Sequence, residues 1–400
     1  MVYEVAIIGG GFSGLCAGVV IGAVFKEKTL ILEGNKRIGK KILATGNGQG
    51  NLTNLNITPE NYHGDRNFAK QCLKRYTNTQ MLDFFANLGL VTDSDNGKVY
   101  PASYTAGSIL DVLRFELERQ NVTILTEKYV TSLKKDKVYS ILCSNGEIYH
   151  AKKVILAFGG KSGAGFLTDG RSYALATQFG HKITSLTPSL VQMKCEKEKI
   201  KGLKGIKQEV KVALYSNEKQ ITAFNGDLLF TDYGISGNSI FSLSAYLKGC
   251  ANPTVKIEFL PNLQADILQE KLINKCKNQI TWERLLISVL PTRLILTILK
   301  ECKLAPESLA SKDKIPTLVN TIKSFTLKIE GTAGFDNSQV TAGGIDTSQI
   351  NVSTMQSKLS DGLYIIGEAL NVDGDCGGYN LQWAFTSAMI CSEAIIDAKS

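Results

Sequence analysis

The 400 residues have a hydrophobic fraction of 44% and a charged fraction of 20%, which indicates a folded chain with a large core and excludes a disordered one. The net charge of +8 allows an anionic ligand, but it does not form the dense basic stripe of a nucleic-acid-binding protein. The nine cysteines stand one at a time along the chain, without a Cys-x-x-Cys pair, and there are only three histidines. This pattern argues against a zinc site, and no metal is expected. His181 follows a glycine and is interpreted as a structural hydrogen-bonding residue.

No segment of the chain is expected to enter a membrane. Residues 285–299 form the longest apolar stretch, but they contain Pro291 and Arg293 and are too short to span a bilayer. Residues 3–8 read as a buried strand that leads into a glycine turn, not as a secretory signal. We therefore expect free thiols, a cytoplasmic location and no membrane partner.

The chain opens with a strand, a glycine turn, a helix and a second strand, at residues 3–8, 9–14, 15–25 and 29–32. Gly9 permits the tight turn, Gly11 lets backbone N–H groups approach a pyrophosphate, and Gly14 lets the helix pack closely on the strand. Glu33 follows the second strand, nineteen residues after Gly14, where a carboxylate can accept a hydrogen bond from a ribose hydroxyl. This βαβ unit predicts a dinucleotide-binding fold, but it does not separate NAD from FAD.

A polar segment without helical or strand periodicity follows from residue 37 to residue 56 and is predicted to be a loop. Residues 39–54 read Gly-Lys-Lys-Ile-Leu-Ala-Thr-Gly-Asn-Gly-Gln-Gly-Asn-Leu-Thr-Asn. The glycines expose backbone donors, and the Lys, Asn and Thr side chains can bind phosphate, ribityl or flavin edges. The alternative interpretation is a solvated surface loop without a ligand.

The middle of the chain changes its pattern twice. Helices are predicted at residues 66–90 and 105–120, and short strands at 122–125, 129–133, 138–143, 147–150 and 153–157. From Pro188 to about Pro261 the alternation is β-like, whereas residues 264–323 read as helices. Because the two ends of the chain read as parts of one α/β domain, the middle is interpreted as an insertion.

A second glycine turn lies near the C-terminal end of the chain. An apolar strand at residues 362–367 is followed by Glu368, and a Gly-rich turn at 373–378 precedes a last helix from about 381 to 398. Glu368 can bind a ribityl hydroxyl, and the helix N-terminus would face the flavin pyrimidine, where negative charge accumulates on reduction. Two nucleotide-facing turns at opposite ends of the chain suit one extended cofactor, which favours FAD.

Several stretches together resemble a family of bacterial flavoproteins that includes aminoacetone oxidases and an enone reductase acting on bile-acid intermediates. The resemblance covers nearly the whole chain, and its last stretch is the most specific. The matching residues are Gly-Gly-Gly-Phe-Ser-Gly at 9–14, Thr-Gly-Asn-Gly at 45–48, Asn-Leu-Thr-Asn at 51–54, Ala-Phe-Gly-Gly-Lys-Ser at 157–162, Phe-Thr-Asp-Tyr-Gly-Ile-Ser-Gly at 230–237 and Gly-Gly-Tyr-Asn-Leu-Gln-Trp at 377–383.

The resemblance implies the fold class α/β, with a Rossmann-like FAD-binding domain, an inserted β-barrel and a small helical lid domain. It implies a discontinuous FAD-binding domain at residues 1–187 and 339–400, a barrel-like domain at 188–263 and 324–338, and a lid at 264–323. Val130, on a strand that usually lies near the adenine, would make a backbone contact.

The predicted cofactor-binding residues are Gly9, Gly11, Phe12, Ser13, Gly14, Glu33, Gly34, Asn35, Gly39, Lys40, Lys41, Thr45, Asn47, Gly48, Asn51, Thr53, Val130, Ala157, Gly159, Gly160, Gly367, Glu368, Asp373, Gly374, Gly378, Asn380 and Leu381. The chain departs from the family pattern at Gln49 and Gly50, where Arg-Cys is usual, and at Phe158, where a small polar residue is usual. FAD binding should survive these changes, but carry-over of one particular substrate is less secure.

These features predict an FAD-dependent oxidoreductase that acts on a small organic substrate and has no nucleic-acid partner. The expected reaction is NAD(P)H-linked reduction of an activated double bond; the alternative is an oxygen-dependent amine oxidase of the aminoacetone type. No second Gly-x-Gly-x-x-Gly follows a strand, so NADH or NADPH would bind transiently. An RNA-modifying flavoprotein and a flavin-binding protein without turnover are further alternatives. No catalytic acid or base is assigned, and Tyr379 and Tyr104 are the candidates.

Overall fold

The computed structural model describes residues 1–398, apart from the side chain of Ala164. The chain divides into two compact units, each with its own hydrophobic core. The first unit comprises Met1–Ser189 and the segment from Phe335 onwards, and the second comprises Leu190–Gly334. The predicted fold class is confirmed, because the chain contains a Rossmann-like parallel sheet, a closed antiparallel barrel and helices.

The first unit is built on a seven-stranded sheet. In spatial order its strands are Thr123–Leu125, Thr29–Leu32, Val2–Ile8, Ile148–Leu156, Tyr139–Cys143 and Val130–Lys135, and Leu363–Ile365 also pairs with Ile148–Leu156. The sheet is parallel except for the hairpin of Val130–Lys135 and Tyr139–Cys143. Thr29–Leu32 is buried along its whole length, as a parallel strand covered on both faces should be. The carboxyl ends of these strands carry the glycine turns and the acids that follow them.

Helices and short sheets complete the first unit. The α-helices are Phe12–Phe25, Arg66–Leu73, Asn78–Asn87, Ala106–Arg119, Ala174–Thr177 and Tyr379–Asp397. The 3-10 turns are Lys26–Lys28, Ile42–Gly48, Pro59–Asn61, Ala164–Phe166, Arg171–Tyr173, Phe335–Asn337, Thr347–Gln349 and Gly367–Ala369. The short sheets pair Thr53–Asn54 and Thr92–Asp95 with Lys98–Pro101, Tyr62–Gly64 with Val372–Gly374, and Thr187–Ser189 with Val340–Ala342.

Four sequence predictions for the first unit need correction. The strands predicted at 147–150 and 153–157 form one strand, Ile148–Leu156, whose two halves pair with different neighbours. The helix predicted at 66–90 is two helices, because Thr77 caps the second one at its N-terminus. The loop predicted at 37–56 contains 3-10 turns and a two-residue strand. The last helix begins at Tyr379, two residues earlier than predicted.

The second unit is a closed six-stranded barrel with helices. The strands follow one another around the barrel as Met193–Cys195, Gly234–Ser236, Lys219–Phe230, Lys207–Ser216, Thr254–Phe259 and Phe325–Thr332. The helices are Lys197–Ile200, Asn238–Ser244, Ala265–Cys276, Trp282–Leu286, Thr292–Glu301 and Ile315–Lys323, and Lys312–Lys314 is a 3-10 turn. Barrel strands and helices contribute to the same core, which includes Val212, Phe259, Trp282 and Ile298.

The helices Lys197–Ile200 and Asn238–Ser244 interrupt the stretch that was predicted to be entirely β-like. Pro291 and Pro316 stand at the N-termini of Thr292–Glu301 and Ile315–Lys323, where the missing N–H has no intrahelical role, and they help to divide this stretch into separate helices. Within residues 1–398, no helix combines the length and apolar character that a membrane span requires.

Candidate functional site

The glycine turn after the first strand is packed closely on its neighbours. A Cβ at Gly9 would overlap the carbonyl oxygen of Ala157, and a Cβ at Gly14 would overlap the carbonyl oxygen of Gly9. Gly11 precedes the helix Phe12–Phe25, and a Cβ there would meet no described atom within 4 Å. Gly9 and Gly14 therefore hold the strand, turn and helix together, whereas Gly11 faces open space that a ligand can enter.

Glu33 lies directly after the strand Thr29–Leu32 and is 9% exposed. Its carboxylate accepts hydrogen bonds from the Gly10 amide (2.8 Å), the Asn35 amide (2.7 Å) and Asn35 Nδ2 (2.8 Å). Lys40 Nζ donates to Asn35 Oδ1 at 3.1 Å, and the Gly39 amide donates to the Gly10 carbonyl at 2.8 Å. The acid, the first glycine turn and the start of the polar loop are thus joined in one network.

A second group of predicted residues meets around Glu368. Lys41 Nζ forms an ion pair with Glu368 Oε2 at 2.6 Å, and the Thr341 amide donates to Glu368 Oε1 at 3.0 Å. A Cβ at Gly160 would lie 2.6 Å from Glu368 Oε1, and one at Gly367 would lie 2.6 Å from Ser13 Oγ. The structure therefore brings the polar loop, the Ala157–Gly160 turn and the C-terminal glycine turn to one place.

The Asn-Leu-Thr-Asn stretch is fixed against the last helix. Thr53 is fully buried, and its hydroxyl donates to Gln382 Oε1 at 2.7 Å. Asn51 Nδ2 donates to the carbonyls of Thr53 (3.0 Å) and Val99 (3.1 Å). Gly378, with φ 97°, precedes the last helix, and a Cβ there would lie 2.5 Å from the Thr53 backbone. Thr53 and Asn51 therefore hold the loop with side-chain groups that we had predicted to face the cofactor.

Asn380 closes the C-terminal glycine turn. Its Oδ1 accepts from the Gly374 amide, and its Nδ2 donates to the Gly374 carbonyl, both at 2.8 Å. Asp373 in this turn is 1% exposed.

Tyr379 begins the helix with its ring edge-on to Tyr62, at 6.2 Å between centroids. Burial, and secondarily Asp375 and Cys376, raises the pKa of Tyr379, so its hydroxyl stays protonated at neutral pH.

The remaining predicted residues fall into buried and exposed groups. Those in buried or tightly packed backbone are Phe12, Gly34, Val130, Ala157, Gly159 and the half-buried Leu381. Asn47 lies between Thr45 and Gly48 at the tip of the polar loop, where its side chain is exposed. Its backbone is left-handed, with φ 56°. Tyr104, the other candidate acid, lies on an exposed loop, where its hydroxyl donates to Asp93 at 3.0 Å.

Sequence reasoning missed three features near these residues. Thr341 binds Glu368 through its amide and accepts from the Lys161 and Ser162 amides through its hydroxyl. Tyr173 is buried close enough to Glu368 for the carboxylate to raise its pKa. His63 Nε2 lies 2.8 Å from Asp375 Oδ1, beside the glycine turn. No local pattern marks them, because each meets the site through a long-range contact.

These residues fit an extended dinucleotide. The open space at Gly11, the helix N-terminus behind it and the buried acid at the next strand end suit a pyrophosphate and a ribose. Glu368 with Lys41 forms a second polar centre at another strand end of the same sheet. Among residues 1–398, no set of three or more His, Cys, Asp or Glu side chains could hold a metal ion.

Residues 3–394 match the family model described as HI0933-like protein Rossmann domain. The chain belongs to this family. Membership confirms the resemblance predicted from the glycine turns and the Gly-Gly-Tyr-Asn-Leu-Gln-Trp stretch, and the chain is an FAD-dependent oxidoreductase of this family.

Curated relatives match over nearly their full length. The chain is 38% identical over 403 residues to 3-dehydro-bile acid delta(4,6)-reductase of Clostridium scindens, with 98% of each chain covered. It is 30% identical to ribosomal RNA dihydrouridine synthase of Escherichia coli, with 100% of this chain and 99% of the relative covered. The corresponding synthase of Haemophilus influenzae is 32% identical, with 98% of each chain covered.

Solved structures share the fold at low sequence identity. A 3-ketosteroid delta1-dehydrogenase from Sterolibacterium denitrificans has a TM-score of 0.51 at 10% identity, and the match covers 99% of this chain and 100% of that one. A flavocytochrome c3 fumarate reductase has a TM-score of 0.50 at 13% identity, with 99% and 78% covered. These similarities support the fold assignment only.

Proposed function

We propose that this protein reduces an activated carbon–carbon double bond in a small organic substrate with electrons from NADH or NADPH. The supporting observation is the 38% identity, over 98% of both chains, to a 3-dehydro-bile acid delta(4,6)-reductase. A 3-dehydro group is a ketone, and double bonds at positions 4 and 6 are conjugated with it. Dihydrouridine, named in the other two relatives, is uridine with a saturated ring bond that was conjugated with a carbonyl. The shared chemistry favours double-bond reduction over amine oxidation.

FAD, when bound, supplies the hydride that such a reduction needs. We propose that Gly11 and the N-terminus of Phe12–Phe25 hold its pyrophosphate, that Glu33 holds the adenosine ribose, and that Glu368 holds the ribityl chain. The positive end of the helix Tyr379–Asp397 is expected to favour negative charge on the pyrimidine ring. Tyr379 is the stronger candidate proton donor, since it begins that helix and is buried, whereas Tyr104 is exposed.

The direct test is turnover of the purified flavoprotein with NADH or NADPH and a set of conjugated ketones, including a steroid dienone. The expected product is two hydrogens heavier by mass spectrometry, and the matched control is the same ketone without the double bond. Turnover of amines with oxygen and formation of hydrogen peroxide, without reduction of any conjugated ketone, would contradict the proposal and support the amine-oxidase alternative.

Reduction of a uracil base in RNA is the second candidate function. The two synthases at 30% and 32% identity support it. The unit Leu190–Gly334 also carries 21 of the 45 Lys and Arg residues but only 14 of the 37 Asp and Glu residues, and so most of the net positive charge. Lys197, Lys201 and Lys204 line a surface pocket of about 180 Å³ there, together with Glu198 and Asp232. The sequence-based expectation of no nucleic-acid partner therefore needs a test.

This candidate is tested by incubating ribosomal RNA that lacks dihydrouridine with the protein and NAD(P)H. Dihydrouridine in the RNA, but not in free uridine treated in parallel, would support it. A double variant Lys201→Gln and Lys204→Gln should then weaken RNA binding and reduce its salt dependence. Absence of dihydrouridine, with steroid dienones reduced in parallel, would leave the small-substrate reductase as the function.

A further inference from the structure

Tyr173 is a buried tyrosine beside the candidate site. It ends the 3-10 turn Arg171–Tyr173, which follows Gly170 in a left-handed conformation (φ 87°), and it is 5% exposed. Its ring packs edge-on against Phe158, with 5.4 Å between ring centroids and an interplanar angle of 80°. Phe158 belongs to the Ala157–Gly160 turn. The Phe158 ring therefore helps to fix the position of the Tyr173 ring.

The Tyr173 hydroxyl is buried and has no hydrogen-bond partner among residues 1–398. Two other buried tyrosines in the same unit show the normal situation. The Tyr62 hydroxyl donates to the Tyr379 carbonyl at 3.1 Å, and the Tyr139 hydroxyl donates to the Asp361 carbonyl at 2.6 Å. A buried polar group without a partner lowers stability by about 1–3 kcal/mol, and such groups are rare in native proteins. The hydroxyl of Tyr173 is therefore placed to meet a partner from outside the chain.

The surroundings of Tyr173 indicate which part of the ligand it meets. Burial, and secondarily the Glu368 carboxylate, raises the pKa of Tyr173, so the hydroxyl remains a donor at neutral pH. Glu368 is itself fixed by Lys41 and by the Thr341 amide. The Ala157–Gly160 turn, whose Phe158 packs on Tyr173, also reaches this acid, since a Cβ at Gly160 would lie 2.6 Å from Glu368 Oε1. Tyr173 thus lies at the Glu368 end of the candidate site.

We propose that the Tyr173 hydroxyl donates a hydrogen bond to the ribityl chain of bound FAD. A ribityl hydroxyl can donate to Glu368 and accept from Tyr173 at the same time, which would give the buried Tyr173 hydroxyl its partner. This assignment rests on FAD binding and on the proposed position of Glu368, and it does not depend on the electron donor or the substrate.

The test compares Tyr173→Phe with the wild-type protein after removal of FAD. We expect the Kd for FAD to rise about 5- to 100-fold, because the ribityl chain loses its donor. The Kd for ADP, which lacks the ribityl chain, should not change. The melting temperature of the FAD-free protein should stay the same or rise, because the substitution removes a buried hydroxyl that has no partner.

Tyr139→Phe is the matched control, since its hydroxyl is also buried but has protein partners and lies outside the predicted cofactor contacts. It should lower the melting temperature and leave both Kd values unchanged. Any of three results for Tyr173→Phe would overturn the proposal. These are an unchanged Kd for FAD, an equal loss of ADP binding, and a melting temperature that falls as far as in Tyr139→Phe.

Discussion

The carboxylate of Glu33 accepts three hydrogen bonds from its own chain, from the Gly10 amide and from the amide and side chain of Asn35. A carboxylate has about four lone-pair sites, so one remains for a ribose hydroxyl. Glu33 therefore serves both the fold and the proposed cofactor contact. The sequence indicated only the second role, because the distance from Gly14 to Glu33 carries no information about Gly10 or Asn35.

Glu33→Ala should weaken FAD binding by about 1–3 kcal/mol, since it leaves the ribose hydroxyls and the Gly10 amide without an acceptor. Fluorescence titration of the FAD-free protein measures the change. The control is Glu27→Ala, an exposed acid in the same βαβ unit. Equal FAD affinity in both variants would show that Glu33 does not contact the cofactor.

His181 makes stability depend on pH. It is 3% exposed, its Nε2 lies 2.8 Å from Ser357 Oγ, and burial lowers its pKa below 6.5. The neutral side chain therefore contributes stability that is present above pH 6.5 and is lost as the pH falls through the lowered pKa. His181→Gln should be less stable than wild type at pH 7.5, with a smaller loss of stability between pH 6.5 and 5. Urea unfolding at several pH values measures this, and parallel pH profiles of the two proteins would contradict it.

At the scale of elements, the opening strand, turn, helix and strand were predictable because glycine spacing and apolar runs encode them locally. The strand Ile148–Leu156 was predicted as two, because Ala151-Lys152-Lys153 interrupts the apolar pattern. Its first half pairs with Tyr139–Cys143, and its second half pairs with Leu363–Ile365. The pairing with Leu363–Ile365 joins residues that are more than two hundred positions apart in the sequence. Pairings of this kind, like the position of Tyr173 near Glu368, leave no local trace in the sequence.

Two glycines of the opening turn should respond differently to the same substitution. Gly14→Ala should lower the melting temperature and weaken FAD binding, because its Cβ would overlap the Gly9 carbonyl oxygen. Gly11→Val should keep the melting temperature of the FAD-free protein, because its side chain enters open space, yet it should abolish FAD binding by filling that space. Thermal unfolding and FAD titration of both variants provide the test. Retention of FAD by Gly11→Val would show that the pyrophosphate does not approach this turn.

At the scale of the whole molecule, every predicted cofactor residue lies in the first unit. Residues 188–338 were expected to form an inserted barrel with a separate helical lid. In the structure, the barrel and the helices of residues 265–323 share one core within Leu190–Gly334. Sequence patterns placed the barrel strands and the later helices in the right stretches, but they missed the helices Lys197–Ile200 and Asn238–Ser244. They also could not show that the strands and helices pack together, since shared cores arise from long-range contacts.

Replacement of residues 190–334 by a Gly/Ser linker should leave FAD binding intact and abolish turnover. Ser189 pairs with Val340, so a linker of about five residues can join the two chain ends of the first unit. The control replaces only the hairpin tip Asn217 and Glu218 with the same linker and should keep both properties. A truncated protein that melts cooperatively but binds no FAD would contradict the assignment of the cofactor site to the first unit.

The most direct test of the whole account is an anaerobic stopped-flow record of the flavin's visible absorbance. We predict that NADH or NADPH bleaches the absorbance band and that a conjugated ketone, added without oxygen, restores it in proportion to the saturated ketone formed. A flavin that an amine reduces and that only oxygen reoxidises, with no response to NADH, NADPH or a conjugated ketone, would contradict the account.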